Sequence, residues 1–272
     1  MRPIAGVSVG TAASWHFRAA TAAFAAAAAV ELAGQAVRGT PGAGPTAWLV
    51  LLATASWVMG LVWRERVGVF RAWLCLFWLT LASLLVMLLA ARRGFLFGHL
   101  EFPGGEFSTM GGVPASVPLL WWLVVGGGFL VVEGFWGDSR AGVSAYTALV
   151  AALMASMILP VVGRLRDYWR WPATPAGAVF FGMPWVVLAA WFTLALVLAL
   201  GLVMLGDNRS SAEARAHRQA WAPAAVLLVL TAICLGANLA AGLWLAVAFS
   251  GANAVLFGMV VVGYLRTHGI RG

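Results

Sequence analysis

Apolar residues fall into long runs separated by short polar breaks. The runs lie at about Phe17–Val37, Thr46–Trp63, Ala72–Ala91, Val117–Trp136, Ala141–Val162 and Phe180–Leu205, followed by a longer stretch from Pro223 to Leu265. An α-helix rises about 1.5 Å per residue, so ~20 residues cross a ~30 Å hydrocarbon core. The first six runs have about that length. The last is too long for one crossing and reads as a tight helical pair, turning near Gly242–Trp244 or near Ser250–Asn253. The pattern predicts an all-α, polytopic transmembrane helical bundle of about eight spans, or about seven if the first run is a signal peptide or the last pair is one broken helix. Arg2 and the weakly hydrophobic Ala25–Ala29 are signal-peptide features. Arg18 and Glu31 do not suit an apolar signal core, so the run is kept as a span. Residues 1–272 read as a single transmembrane domain with no obvious internal repeat, which counts against a transporter.

Composition agrees. The 272 residues are 62% hydrophobic and 10% charged, with a mean hydropathy of +0.93. A soluble domain carries roughly a quarter charged residues, so a soluble enzyme is excluded, as is a disordered chain. All 17 basic residues are arginine, against 9 acids, for a net charge of +8. The arginines are scattered between apolar runs and form no basic stripe, so nucleic acid is not an expected partner. They read as flank charges that meet membrane lipid headgroups. With eight spans, one face holds Arg2, Arg18, Arg64, Arg66, Arg71, Arg140, Arg209, Arg215, Arg218, Arg266 and Arg271. The other holds Arg38, Arg92, Arg93, Arg164, Arg166 and Arg170. The positive-inside rule then places both termini in the cytoplasm. The lysine-free, Ala- and Gly-rich composition suggests a bacterial cytoplasmic membrane. Cys75 and Cys234 read as small buried hydrophobes, and His16, His99, His217 and His268 are too dispersed for a metal site. No metal is expected.

Two connections depart from simple linkers. The third, Arg92–Ala115 (RRGFLFGHLEFPGGEFSTMGGVPA), is rich in Gly and Pro yet keeps many aromatics. Loops longer than ~12–15 residues without regular structure are commonly functional. The fifth, Gly163–Ala178, crowds Arg164, Arg166, Asp167, Tyr168, Arg170 and the tryptophans Trp169 and Trp171 at the membrane edge. An interfacial aromatic belt explains such a loop as well as function does. Both connections are odd-numbered and share a face, so a single site built from the two is expected. Within the spans, Gly126, Gly127 and Gly128 permit close approach of a helix or a flat ligand. Glu31 is the better intramembrane acid, Glu133 reads as interfacial, and Asn238 and Asn253 read as interhelical glue.

Four pieces of the chain, in order, carry a resemblance: Arg93–Phe102 (RGFLFGHLEF), Gly112–Trp121 (GVPASVPLLW), Tyr168–Trp171 (YWRW) and Phe180–Phe192 (FFGMPWVVLAAWF). Together they resemble the carotenoid biosynthesis membrane-protein family, which includes the carotenoid hydratases such as the bisanhydrobacterioruberin hydratases. The resemblant core spans residues 92–192. The chain departs from the family where family members carry acids late in the third span and near the end of the fifth. The third span ends in Leu84–Ala91 without an acid, and the fifth-span positions are Ala155 and Leu159, ahead of a retained Pro160. The asparagine of the sixth-span motif is replaced at Leu188 or its neighbour.

The resemblance implies a long hydrophobic polyene taken from the bilayer, with hydration of a terminal double bond as the reaction and no cofactor. Such chemistry needs an acid that protonates carbon and aromatic faces that stabilise the tertiary cation. The candidate acids are Glu101, Asp167, Glu31 and Glu106. The candidate substrate-binding residues are Phe97, Gly98, His99, Pro114, Trp121, Tyr168, Trp169, Trp171, Gly182 and Pro184. Two other readings stand beside it: a non-catalytic carotenoid-binding or structural subunit, as a homo-oligomer or in a larger membrane complex, and a lipid or small-molecule transporter. Loss of the family's acids favours the non-catalytic one.

Overall fold

The computed structural model describes residues 11–38, 44–103, 109–136, 139–172, 179–181, 183–206 and 221–268. Glu106, Gly182 and the polar connector after residue 206 lie outside them. Among the described residues, eight helices are long and apolar enough to cross a membrane. The first three spans are α1 (Thr11–Arg38), α2 (Pro45–Val67) and α3 (Val69–Arg93). The fourth joins α4 (Ser116–Trp121) to α5 (Gly128–Trp136) through a π-helical segment, Trp122–Gly127. The fifth is α6 (Arg140–Leu159), which continues into a second π-helical segment, Pro160–Leu165. The last three are α7 (Val186–Gly206), α8 (Trp221–Ala240) and α9 (Trp244–His268).

The fourth span is the hub, with 89% of its apolar window buried. Its glycines serve helix packing. A Cβ on Gly127 would meet Met59 and Leu227, and one on Gly128 would meet Val150, so side chains of α2, α8 and α6 fill the space a flat ligand would need. The first run is a bundle helix packed on α2 and α8, with Ala20, Phe24 and Glu31 buried. The last pair turns at Gly242, which adopts φ +67°. There the Leu243 N–H donates to the Asn238 carbonyl at 2.9 Å. The alternative turn at Ser250–Asn253 is therefore not used, because those residues lie inside α9. The asparagines act as interhelical glue: the Asn238 amide donates to the Met157 carbonyl at 3.0 Å and the Asn253 amide to the Leu153 carbonyl at 3.1 Å.

A repeat does exist, contrary to the sequence reading. A two-stranded hairpin, β1 (Thr109–Met110) with β2 (Val113–Pro114), leads into α4. A second, β3 (Val179–Phe180) with β4 (Met183–Pro184), leads into α7. At one constant separation, Gly112 matches Gly182, Pro114 matches Pro184, Val117 matches Val187 and Trp121 matches Trp191. Left-handed backbone recurs at matched places, at Gly98 and Asp167 in the loops and at Gly111 and Phe181 in the hairpins. The modules are thus α3–loop–hairpin–fourth span and α6–loop–hairpin–α7. Residue identities hide them because a membrane span accepts almost any apolar side chain, and only positions fixed by backbone geometry or by the module junction are shared.

The modules interlock where α3 meets α7. The Trp78 indole donates to the Leu198 carbonyl at 3.1 Å, and a Cβ on Gly201 would overlap that indole. A rigid, bonded ring yields poorly. Gly201→Ala is expected to destabilise the protein by about 1–3 kcal/mol through overpacking, read as earlier unfolding in a denaturing-detergent titration.

Candidate functional site

The two unusual connections meet on one face of the bundle. α3 ends at Gly94 in the left-handed conformation, φ 68°, whose N–H donates to the Ala90 carbonyl. The chain then turns through Leu96 and Gly98, both at positive φ, and buries Phe97 and Leu100. On the other side, Pro160 has no N–H and opens the end of α6 into its π-helical turns. The Val162 carbonyl accepts from the Tyr168 N–H at 2.8 Å and from the Trp169 N–H at 3.3 Å, which folds the second connection back over the bundle.

Glu101 and Arg170 exchange two backbone hydrogen bonds at 2.9 Å each, and the Trp171 indole donates to the Phe97 carbonyl at 3.0 Å. The loop-sharing expected from span parity is what these contacts describe.

Beneath this junction lies a buried aromatic cluster. Trp121 and Trp191 stack with centroids 4.1 Å apart and planes 20° apart. Trp169 lies 6.2 Å from Trp191 and 6.5 Å from Trp171, edge-on to the latter. Phe97 approaches Trp121 at 6.4 Å, and Phe102 approaches Trp169 at 6.1 Å. Of the expected substrate-binding residues, Phe97, Trp121, Trp169 and Trp171 belong to this cluster. Tyr168 is buried beside them but faces Arg166. Pro114 and Pro184 sit on the second strands of the hairpins. His99 is exposed and packs on Gly94.

The acids separate into different environments. Glu101 is exposed. Asp167 is half exposed and bonded to Arg170, and that hydrogen bond holds Arg170 above its ordinary value. Glu31 is fully buried and paired with Arg166. The Arg166 guanidinium lies 4.6 Å from the Trp48 ring and 5.8 Å from Tyr168. Glu31 is therefore engaged by a cation at the membrane edge rather than presented to the aromatic cluster.

A second buried pair closes the opposite end of the bundle, where Arg66 at the end of α2 binds Glu133 of α5. The Arg66 guanidinium lies 5.3 Å from Trp63 and 5.5 Å from Phe129. Arg66 and Arg166 were expected as flank charges and Glu133 as interfacial. Instead, the arginine side chains are 4% and 2% exposed and Glu133 is largely covered. An opposite charge and aromatic faces replace the hydration that each would lose.

Sequence reasoning missed Trp191 and the Glu31–Arg166 pairing. The matched position of Trp121 in the other module was the signal for the first. For the second, the signal was a span carboxylate facing the same side as an arginine-rich loop.

The positions aligned with the family's acids, Ala155 and Leu159, are both fully buried. Leu188 is half-buried at the start of α7. Among the described residues, no three His, Cys, Asp or Glu side chains gather as a metal-holding group.

Comparison with curated proteins and with solved structures gives no match. A family model described as carotenoid biosynthesis protein matches residues 45–259, well beyond the core at 92–192 that carries the sequence resemblance. A helical membrane bundle whose matched residues include both loops, both hairpins and the aromatic cluster is accounted for on those terms: the chain is a member of the carotenoid biosynthesis protein family.

Proposed function

We propose that this membrane protein accepts a long polyene from the bilayer and lodges its end group at the aromatic cluster beneath the joined loops, where it hydrates a terminal double bond. The observation that supports this reading is the concentration of buried rings, Phe97, Trp121, Trp169, Trp171 and Trp191, at one face of a helical bundle. A conjugated chain is flat and apolar, and stacked rings suit it. In the reaction, an acid adds a proton to the less substituted carbon of the double bond, and the tertiary cation lies against an indole face. Water then adds to the cationic, more substituted carbon and loses a proton, which restores the acid. Glu101 and Asp167 flank the cluster at the loop junction and are the candidate acids for the first step. In this reading the termini lie in the cytoplasm and the joined loops face the other side of a bacterial cytoplasmic membrane.

A second reading, in which the protein holds a carotenoid without changing it, is favoured by Ala155 and Leu159 and by the commitment of Glu31 to Arg166. Expression in a carotenoid-producing host separates the two. Hydration predicts a new mono- or dihydroxylated pigment, lost in Glu101→Gln or Asp167→Asn. Unchanged pigment that co-purifies with the protein identifies the binding subunit. Unchanged pigment that does not co-purify overturns both.

A further inference from the structure

Buried indole N–H groups almost always find an acceptor. In this protein Trp78 donates to the Leu198 carbonyl, Trp122 to the Ser56 carbonyl and Trp171 to the Phe97 carbonyl. Trp121 and Trp191 do not. Both side chains are fully buried, both indole nitrogens lack a partner, and the two rings are stacked on each other.

They are also the same residue of the two repeated modules. Equivalent positions meeting each other is the mark of a two-fold relation. The Glu101–Arg170 exchange repeats the pattern in the loops, where the matching is offset by one residue because the first loop is one residue shorter. In secondary transporters built from repeats, the substrate site lies at the repeat interface. Here that interface holds two donors without a hydrogen-bond partner, with the rings of Phe97 and Trp169 against the stack.

We propose that Trp121 and Trp191 form a paired indole N–H site for a hydroxyl oxygen, one donor from each module, at the junction of the modules. This assignment rests on the polyene reading and sharpens it, because it names the polar atom recognised on an otherwise apolar ligand. The oxygen has two sources with one chemistry, the water that adds to the double bond or the tertiary hydroxyl of the product. Either accepts a hydrogen bond from an indole, and a bare hydrocarbon end cannot.

The test uses the full chain in lipid nanodiscs, with lycopene and its derivative bearing one terminal tertiary hydroxyl as probes. Binding is followed by quenching of tryptophan fluorescence, and formation of hydroxylated product from lycopene is followed separately. Trp121→Phe and Trp191→Phe keep a ring in the stack and delete only the donor. Trp63→Phe is the control, since Trp63 is unpartnered too but lies beside Arg66 at the opposite end.

If the donors hold the product hydroxyl, each stack variant weakens the alcohol about fivefold and leaves lycopene binding within about twofold, with no change in Trp63→Phe. If they hold water, both affinities stay and each stack variant slows product formation by about the same factor. The proposal is overturned if neither quantity moves, or if the stack variants weaken lycopene as much as the alcohol, which would make the rings a packing element only. Wild-type protein that binds neither probe overturns the polyene reading itself, and this assignment with it.

Discussion

Replacing Arg166 by alanine is expected to destabilise the folded protein by about 3–5 kcal/mol, the cost of stranding a buried charge without its partner. Glu31 has no exposed surface and Arg166 pairs with it. Trp48 and Tyr168 cover the guanidinium, so water cannot take its place cheaply. The double change Glu31→Gln with Arg166→Met removes both charges at similar length and is expected to recover most of the loss. Unfolding by denaturing detergent in mixed micelles, followed by tryptophan fluorescence, measures both. If the single variant were as stable as wild type, the pair would be solvated and weak, like the exposed Asp167–Arg170 pair. A further consequence is structural. α1 lies before the 45–259 span of the family match, and this ion pair ties it to the turn that begins the Tyr168–Trp171 segment. Loosening Arg166 is therefore expected to disturb the aromatic site as well as the helix.

The bundle itself was legible because a hydrocarbon core imposes one length on every crossing. Runs such as Ala72–Ala91 have the length and polarity of a span, and the excess length of the last run demands a reversal. Its place, near Gly242 or near Ser250–Asn253, is settled only by the left-handed backbone of Gly242. The face shared by the two loops followed from counting crossings alone. Legibility failed where the outcome depends on which side chain lies across a gap. An arginine near a span end looks the same in sequence whether it faces headgroups, as Arg92 and Arg93 are exposed to do, or is buried over tryptophan and paired, as Arg66 and Arg166 are. Gly126–Gly128 similarly permits a ligand or a neighbour, and only the positions of Met59, Leu227 and Val150 decide for the neighbour. The repeat escaped for another reason. Its shared residues are those that a hairpin and a ring stack demand, and they are few among spans where Leu, Val and Ala are interchangeable.

Trp191→Ala, set beside Trp191→Phe, is expected to separate the ring from its N–H most clearly. Trp191 is fully buried, stacks on Trp121 and lies beside Trp169. Its removal opens a void at the junction of the two modules, and a buried tryptophan cut to alanine costs about 3–5 kcal/mol. The size of that loss depends on how far the surroundings collapse. Here the neighbours are held from several directions: the Trp169 backbone by its amide N–H to the Val162 carbonyl, and the Trp171 ring, which packs against Trp169, by its indole bond to the Phe97 carbonyl. Collapse is therefore expected to be small and the cost near the upper end. The aromatic surface proposed to meet a polyene would be broken at its centre. Carotenoid retained through purification is expected to be lost in Trp191→Ala and kept in Trp191→Phe, which preserves the stack. Unfolding curves for both variants show whether the loss follows the fold or the site: a Trp191→Ala protein that stays as stable as wild type but is pigment-free assigns the ring to ligand contact. A variant that is equally stable and keeps its pigment would remove the stack from the site and leave the Trp169–Trp171 pair as the remaining polyene contact.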